Sequence, residues 1–284
     1  MSNIAVPSPI NIRNKTLDLS SPKIMGILNA TPDSFSDGGE FNQVDDAVEH
    51  IGEMLKQGAS IIDVGGESTR PGSEPVAESE ELDRVKPILE QAIPKFSDTF
   101  FSIDTTKYQV AKEALKLGAH FVNDVSGLQK EPRLADLCVE YGAGFIMMHS
   151  QGDPKTMQDD PSYSDVVKEV YQFFEEQINK AEEKGLQNII IDPGIGFGKT
   201  MHHNLKLLAN LNTFRQLGYP VMVGASRKSM IGKILDGRPT DGRITGTVAV
   251  HYDAMMRGAN IIRVHDVQEA HDSLQVFNAI SAVK

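Results

Sequence analysis

The chain has 284 residues and a formal net charge of −11, which argues against general nucleic-acid binding and leaves any anionic ligand to a local basic pocket. Forty per cent of the residues are hydrophobic, enough for a proper core. α/β barrels typically take about 250 residues as one unit. A single cysteine, Cys138, excludes an internal disulfide framework and fits a reducing compartment, and its place beside Leu134 and Leu137 reads as a packed core thiol.

Residues 1–22 hold no apolar segment long enough for a signal peptide, and nothing later reaches transmembrane length, so no membrane association and a cytoplasmic location are expected. This stretch is expected to add an N-terminal strand pair or plug to a single domain spanning residues 23–284. From Lys23 onward one unit recurs: a short apolar run, a polar or glycine-rich loop, then an amphipathic helix. The runs are Ile24–Leu28, Ser60–Val64, Phe100–Ile103, His120–Val122, Gly144–Met148, Asn188–Ile191, Val221–Val223 and Asn260–Val264. Helical periodicity covers Val44–Gln57, Glu78–Ala92, Tyr108–Leu117, Arg133–Tyr141, Asp165–Lys184, Asn204–Leu217, Gly246–Arg257 and Gln268–Ser281. Several helices stop at Gly-Ala, as at Gly118-Ala119 and Gly142-Ala143, the pattern of a left-handed C-cap and a tight turn into the next strand. Eight such units predict a (β/α)8 TIM barrel, with a doubly wound open sheet as the alternative.

Strand-to-helix loops carry the sites of such barrels, and five of these are long: Asn29–Gly39, Gly65–Pro75, His149–Pro161, Pro193–His203 and Gly224–Gly242. In Ile189-Ile190-Ile191-Asp192-Pro193-Gly194-Ile195-Gly196-Phe197-Gly198-Lys199, a buried strand delivers a carboxylate onto a glycine turn. A P-loop would need glycine where Pro193 stands, and the third glycine comes one residue early for a dinucleotide fingerprint. Strand ends also deliver Asn29, Asp63, Asp104, Asn123, Arg263 and His265. Taken singly, Asp63 and Asp124 read as caps. Taken together, carboxylates and an amide on one rim suit a ligand rich in N–H donors, such as a fused aminopyrimidine.

Arg70, Arg227, Lys228, Arg263 and His265 form a second, basic set suited to phosphate. Arg263 lies inside an apolar run and must face an anion, whereas Arg227 also suits a solvated surface. Asn29 could complete a magnesium shell with waters and phosphate. His202-His203 lack zinc-ligand spacing and read as a polar helix start, and Tyr252 with Met255-Met256 reads as packing.

With these residues laid out, the chain resembles the dihydropteroate synthase family over nearly all of residues 23–267. The resemblance rests on Met25–Gly39, Asp63–Gly72, Ser102-Ile103-Asp104-Thr105, Asn123-Asp124-Val125-Ser126-Gly127, Asp192–Lys199, Gly224–Ser229 and Arg263-Val264-His265-Asp266. Thr106 and Tyr108 stand where the family often has Ser and Pro, and neither is a presumed ligand group. The resemblance implies a transferase of folate synthesis, a target of sulfonamides. The amine of p-aminobenzoate displaces diphosphate from (7,8-dihydropterin-6-yl)methyl diphosphate and gives 7,8-dihydropteroate.

Carried over position by position, the resemblance assigns Asp104, Asn123, Asp192 and Lys228 to the pterin, with Met148 and Phe197 as apolar neighbours. Asn29, Thr69, Arg70, Arg263 and His265 go to the diphosphate, and Asn29 also to Mg²⁺. Phe35, Arg70 and Ser229 go to p-aminobenzoate. Asp104, Lys228, Arg263 and His265 are expected to act in catalysis, by a dissociative displacement. A homodimer through the last helices is implied as well. On this reading Arg263→Ala weakens diphosphate binding more than pterin binding. Two rivals remain: an aldolase barrel with Lys228 as Schiff-base lysine, and a non-catalytic or methyl-carrying pterin domain. The first leaves the diphosphate groups idle, and the second has no need of both substrate loops or of the Arg263/His265 pair.

Overall fold

A computed structural model describes residues 9–31, 40–68, 72–152 and 156–283. An antiparallel hairpin, β1 (Ile10–Ile12) and β2 (Lys15–Leu17), precedes the barrel. The barrel strands are β3 (Lys23–Asn29), β4 (Ile61–Gly65), β5 (Phe100–Asp104), β6 (Phe121–Asp124), β7 (Gly144–Met148), β8 (Ile189–Asp192), β9 (Met222–Val223) and β10 (Ile261–Val264). All neighbours pair in parallel, in the order β8-β7-β6-β5-β4-β3-β10-β9. A bridge between Ile191 and Val221, with Ile191 N donating to Pro220 O at 2.9 Å, joins the two end strands and closes the TIM barrel.

The helices are α1 (Glu40–Lys56), α2 (Glu78–Lys95), α3 (Tyr108–Leu117), α4 (Leu134–Tyr141), α5 (Val166–Glu183), α6 (Met201–Ala209), α7 (Leu211–Phe214), α8 (Ser229–Ile234), α9 (Ile244–Met256) and α10 (Val267–Ser281). Gly118 and Gly142 close α3 and α4 in the left-handed region, with φ of 113° and 61°. Three expectations need correction. The helix expected over Asn204–Leu217 is broken at Asn210, whose φ and ψ of −113° and 24° leave the helical region, and it ends in a 3-10 turn at Arg215–Leu217. The loop expected over Gly224–Gly242 contains α8 and a second 3-10 turn, Thr240–Arg243. Met255 packs in the core, but Met256 is 47% exposed.

Strand alternation sorts the side chains into two cores. Ile24, Ile62, Phe101, Val122, Phe145, Ile189, Val223 and Ile262 belong to the layer between sheet and helices. Met25, Ile61, Phe100, Phe121, Ile146, Ile190, Met222 and Ile261 form the other cluster, with Ile10, Ile12, Leu17 and Leu19 of the N-terminal segment. This second cluster fills the barrel interior, and the hairpin stoppers its lower end. Buried side chains of this size stabilise by about 1.5–3 kcal/mol each.

Because side chains repeat every two residues along a strand, the next inward layer follows directly. It consists of Ile27, Asp63, Ser102, Asn123, Met148, Asp192, Gly224 and Arg263, each two residues beyond a member of the apolar plug. The interior thus turns from hydrocarbon to polar groups within one pleat, at the carboxyl ends of the strands. That is the face on which barrel enzymes carry their chemistry.

Candidate active site

The centre of the polar layer is a fully buried carboxylate. Asp63 Oδ2 accepts from Arg263 Nε at 2.6 Å and from Asn123 Nδ2 at 2.9 Å. Asp63 therefore caps no helix, and the anion required by Arg263 comes from the protein itself. Arg263 Nη2 also donates to Asp104 Oδ2 at 2.8 Å, while Nη1 takes part in neither pair. Asp124 behaves as a local cap, accepting from the amides of Ser126 and Leu128 at 2.7 Å. The carbonyl oxygen of Asn123 is buried and has no hydrogen-bond partner among the described residues. It is an acceptor waiting for a donor.

Burial pushes the Asp104 carboxyl up to about 7; Arg263 pulls it down, and the carboxylates of Asp63 and Glu81 push it up again. Behind it, Lys107 bridges Glu67, at 2.7 Å, and the buried Glu81. Asp104 is thus a carboxylate held by an arginine yet poised near neutrality.

On the far side, Asp192 is 3% exposed, and its Oδ1 accepts from Gly194 N at 2.8 Å. Burial raises its carboxyl to about 6, opposed by the Gly194 amide, Lys228 and Arg263. Lys228 extends its ammonium over the Phe197 ring, 4.0 Å from the centroid. Met148 is buried at the end of β7. The turn after Asp192 runs so close to its neighbours that a Cβ on Gly194 would lie 1.9 Å from His149 O. Only glycine, here at φ 68°, permits that approach.

At the rim, Asn29 ends β3 half-buried and His265 follows β10, its Nδ1 3.0 Å from Ser226 Oγ. Arg227 is no loose surface cation: it pairs with Asp266, Nε to Oδ2 at 2.9 Å, and so clasps the turns after β9 and β10 together. Ser229 is exposed at the first residue of α8. Phe35, Thr69 and Arg70 lie outside the described residues. No cluster of three His, Cys, Asp or Glu suited to a metal occurs among the described residues, so protein side chains build no complete cage there. A single neutral oxygen donor such as Asn29 suits Mg²⁺, which keeps waters and takes its other ligands from phosphates. His202 and His203 start α6, where Thr200 and His203 form a capping box.

The structure thus gathers Asp104, Asn123, Asp192, Arg263, Met148 and the Lys228–Phe197 stack around one barrel mouth, with Asn29 and His265 at its edge. Sequence reasoning named Asp63 at a strand end but gave it no role beyond a cap or a member of the rim set, and it gave none to Lys199, hidden inside the glycine turn. Lys199 is buried with its Nζ 2.9 Å from His149 Nδ1. Burial also keeps the Cys138 thiol well above its ordinary pKa, in keeping with a packed residue.

The sequence profile of the family described as "Pterin binding enzyme" matches residues 25–265. The chain is 48% identical over 271 residues to the dihydropteroate synthase of Escherichia coli K12, covering 95% of each. Among solved structures it resembles the Yersinia pestis dihydropteroate synthase in a sulfonamide complex, at 44% identity and a TM-score of 0.90 over 97% of this chain and 100% of that one. The Xanthomonas albilineans enzyme with 4-aminobenzoic acid matches at 40% identity and a TM-score of 0.91, over 98% and 100% of the two chains. The same enzyme in complex with 7,8-dihydropteroate matches at 38% identity and a TM-score of 0.88, again over 98% and 100%. Fold, polar layer and relatives agree, and the chain belongs to the dihydropteroate synthase family of pterin-binding enzymes.

Proposed function

We propose that this chain transfers the dihydropterinylmethyl group of (7,8-dihydropterin-6-yl)methyl diphosphate to the amine of p-aminobenzoate, releasing diphosphate and 7,8-dihydropteroate. The observation that carries this reading is the buried polar layer, in which Asn123 presents an unmatched carbonyl oxygen between ionisable Asp104 and Asp192. An aminopyrimidine ring edge offers several adjacent N–H groups to such a set. Phe197 and Met148 supply apolar contacts for the ring faces. Relatives with 4-aminobenzoic acid and with 7,8-dihydropteroate support the two ends of the reaction.

Bond breaking takes place above this layer. The methylene C–O bond gives its electron pair to the leaving diphosphate, and Arg263 Nη1, His265, Thr69 and Arg70 take up the developing charge. Asn29 would hold a magnesium ion carried in on the diphosphate, whose charge that ion neutralises. The cation left on the methylene is delocalised into the ring, where the carboxylates of Asp104 and Asp192 stabilise it. The amine nitrogen of p-aminobenzoate, a substrate assigned to Phe35, Arg70 and Ser229 with its carboxylate on Ser229, then forms the new C–N bond and loses its extra proton to solvent. The aryl amine is already a free base at neutral pH, so the step requires no strong general base.

Exposed Met256, Val276 and Ile280 on α9 and α10 support assembly as a homodimer through these helices. No described helix is long and apolar enough to cross a membrane. We assign the enzyme to the cytoplasm, in keeping with its single buried thiol. The test is incubation with the pterin diphosphate, p-aminobenzoate and Mg²⁺. Diphosphate release that depends on the amine is expected; release independent of the amine, or none, would overturn the reading.

A further inference from the structure

The turn after β8 carries a side chain that no step above uses. Lys199 is 2% exposed. Its Nζ lies 2.9 Å from His149 Nδ1, 2.9 Å from Phe197 O and 3.2 Å from His149 O. An ammonium has three N–H groups and no acceptor, so three acceptors match it; a neutral amine would turn its lone pair against one of them. Only a histidine with Nδ1 unprotonated can accept, and burial pulls His149 down to about 2, so its proton sits on Nε2. The ring is packed edge-on against Phe173, centroids 4.8 Å apart. Burial lowers Lys199 itself to about 7, against the pull of Asp192.

A buried ammonium that forms no ion pair with a carboxylate among the described residues is a costly way to hold a turn, since a methionine of similar length would fill the same space. The turn has other fastenings as well: Gln158 Nε2 to Gly196 O at 2.6 Å, Tyr163 Oη to Gly198 O at 3.0 Å, and Gly196 N to Asn204 Oδ1 at 2.7 Å. The charge therefore has a further role. Around Asp192 stand Lys228 from the β9–α8 turn, Arg263 from β10 and Lys199 from its own turn, and each favours the ionised carboxylate. Lys199 is thus the third cation acting on Asp192.

We infer that Lys199 is a positioning residue for the pterin pocket: its ammonium, seated on His149 and on the carbonyl oxygen of Phe197, fixes Phe197 beneath Lys228 and adds a buried positive charge on the Asp192 side of the barrel mouth. The inference rests on the pterin reading above and assigns that pocket a residue that touches no substrate.

The test is Lys199→Met in the full-length protein, with 6-hydroxymethylpterin as the binding probe from pH 5 to 9 and steady-state constants for both substrates. Pterin affinity is expected to fall about tenfold to a hundredfold, the range for loss of a buried charge-assisted contact. Its acid limb should move to higher pH, while KM for p-aminobenzoate changes little. Unchanged affinity, or equal weakening of both substrates with the acid limb unmoved, would overturn the inference and leave a structural lysine. Should Lys199→Met fail to fold, His149→Gln and His149→Leu replace it. The glutamine oxygen can still accept from Nζ and should preserve pterin affinity, whereas leucine should lose it; equal behaviour of the pair overturns the inference. Failure of the unmutated protein to bind the probe would instead remove the pterin reading itself.

Discussion

Replacing Asp63 by asparagine removes one charge from the centre of the polar layer and almost no volume. Its Oδ2 holds Arg263 at 2.6 Å and Asn123 at 2.9 Å, while Oδ1 has no hydrogen-bond partner among the described residues. The new amide can therefore keep its oxygen on Arg263 and Asn123 and point its NH2 where Oδ1 was. Both hydrogen bonds survive, but as neutral ones. Hydrogen bonds to charged groups contribute about 1.5–3 kcal/mol against about 0.5–1.5 for neutral pairs, so the two together should lose roughly 1–3 kcal/mol. One effect runs the other way: Asp104 is freed from a like charge, so its carboxyl should ionise at lower pH. The loss divides between folding and binding, and urea unfolding with and without saturating pterin captures both parts. At 1.36 kcal/mol per tenfold, kcat/KM would fall about 5- to 160-fold if all of the loss fell on the reaction, and by less to the extent that folding takes its share. A combined loss below about 0.5 kcal/mol, the range of ordinary surface changes, would refute the idea that Asp63 organises the site.

Further outcomes follow from the same geometry. The form of Asp192 that accepts ring N–H groups is the carboxylate, and its carboxyl is raised to about 6 in the free protein, so pterin affinity should be full above that pH and fall below it. Calorimetry from pH 4.5 to 8 with a flat affinity would contradict this. Gly194→Ala should destabilise by at least about 1–2 kcal/mol from the left-handed backbone alone, with the clash against His149 O added, and an unchanged melting temperature would count against the tight turn. Arg263→Ala strands Asp63 and Asp104 without their cation and should cost about 3–5 kcal/mol, weakening pterin as well as diphosphate. Stability within about 1 kcal/mol of the parent would show that the pairs matter little. Met256→Glu combined with Ile280→Glu should yield monomers in sedimentation velocity; an unaltered mass would exclude the α9–α10 face as the dimer contact.

Much of the barrel was legible because each strand is buried on both faces and so reads as a continuous apolar run, and because Gly-Ala pairs mark helix ends. α8 left no trace in the helical periodicity because it is six residues long, follows the polar turn Ser226-Arg227-Lys228 and has no side-chain cap. Asn210 broke a helix whose apolar spacing continued beyond it, since periodicity reports which face is buried rather than where the backbone kinks. Asp63 and Asp124 looked alike as acids at strand ends. Only the direction of the side chain, inward for Asp63 and toward its own loop amides for Asp124, distinguishes a network centre from a cap. Lys199 was unreadable for a related reason: a lysine closing a glycine turn looks solvated until the fold brings His149 over it.

The hairpin beneath the barrel has a kinetic consequence. With Ile12 and Leu19 sealed into the lower end, the barrel as formed by the described residues opens at its carboxyl end, and both substrates and the product share that doorway. Of the groups assigned to the pterin, Asn123, Met148 and Asp192 lie one pleat above the apolar plug and Asp104 one pleat further, whereas Ser229 stands at the head of α8. Traffic through a single doorway is last in, first out: pterin before amine, and the joined product out before the next pterin. Dihydropteroate should therefore compete with the pterin diphosphate for the empty enzyme, and p-aminobenzoate should trap pterin already inside.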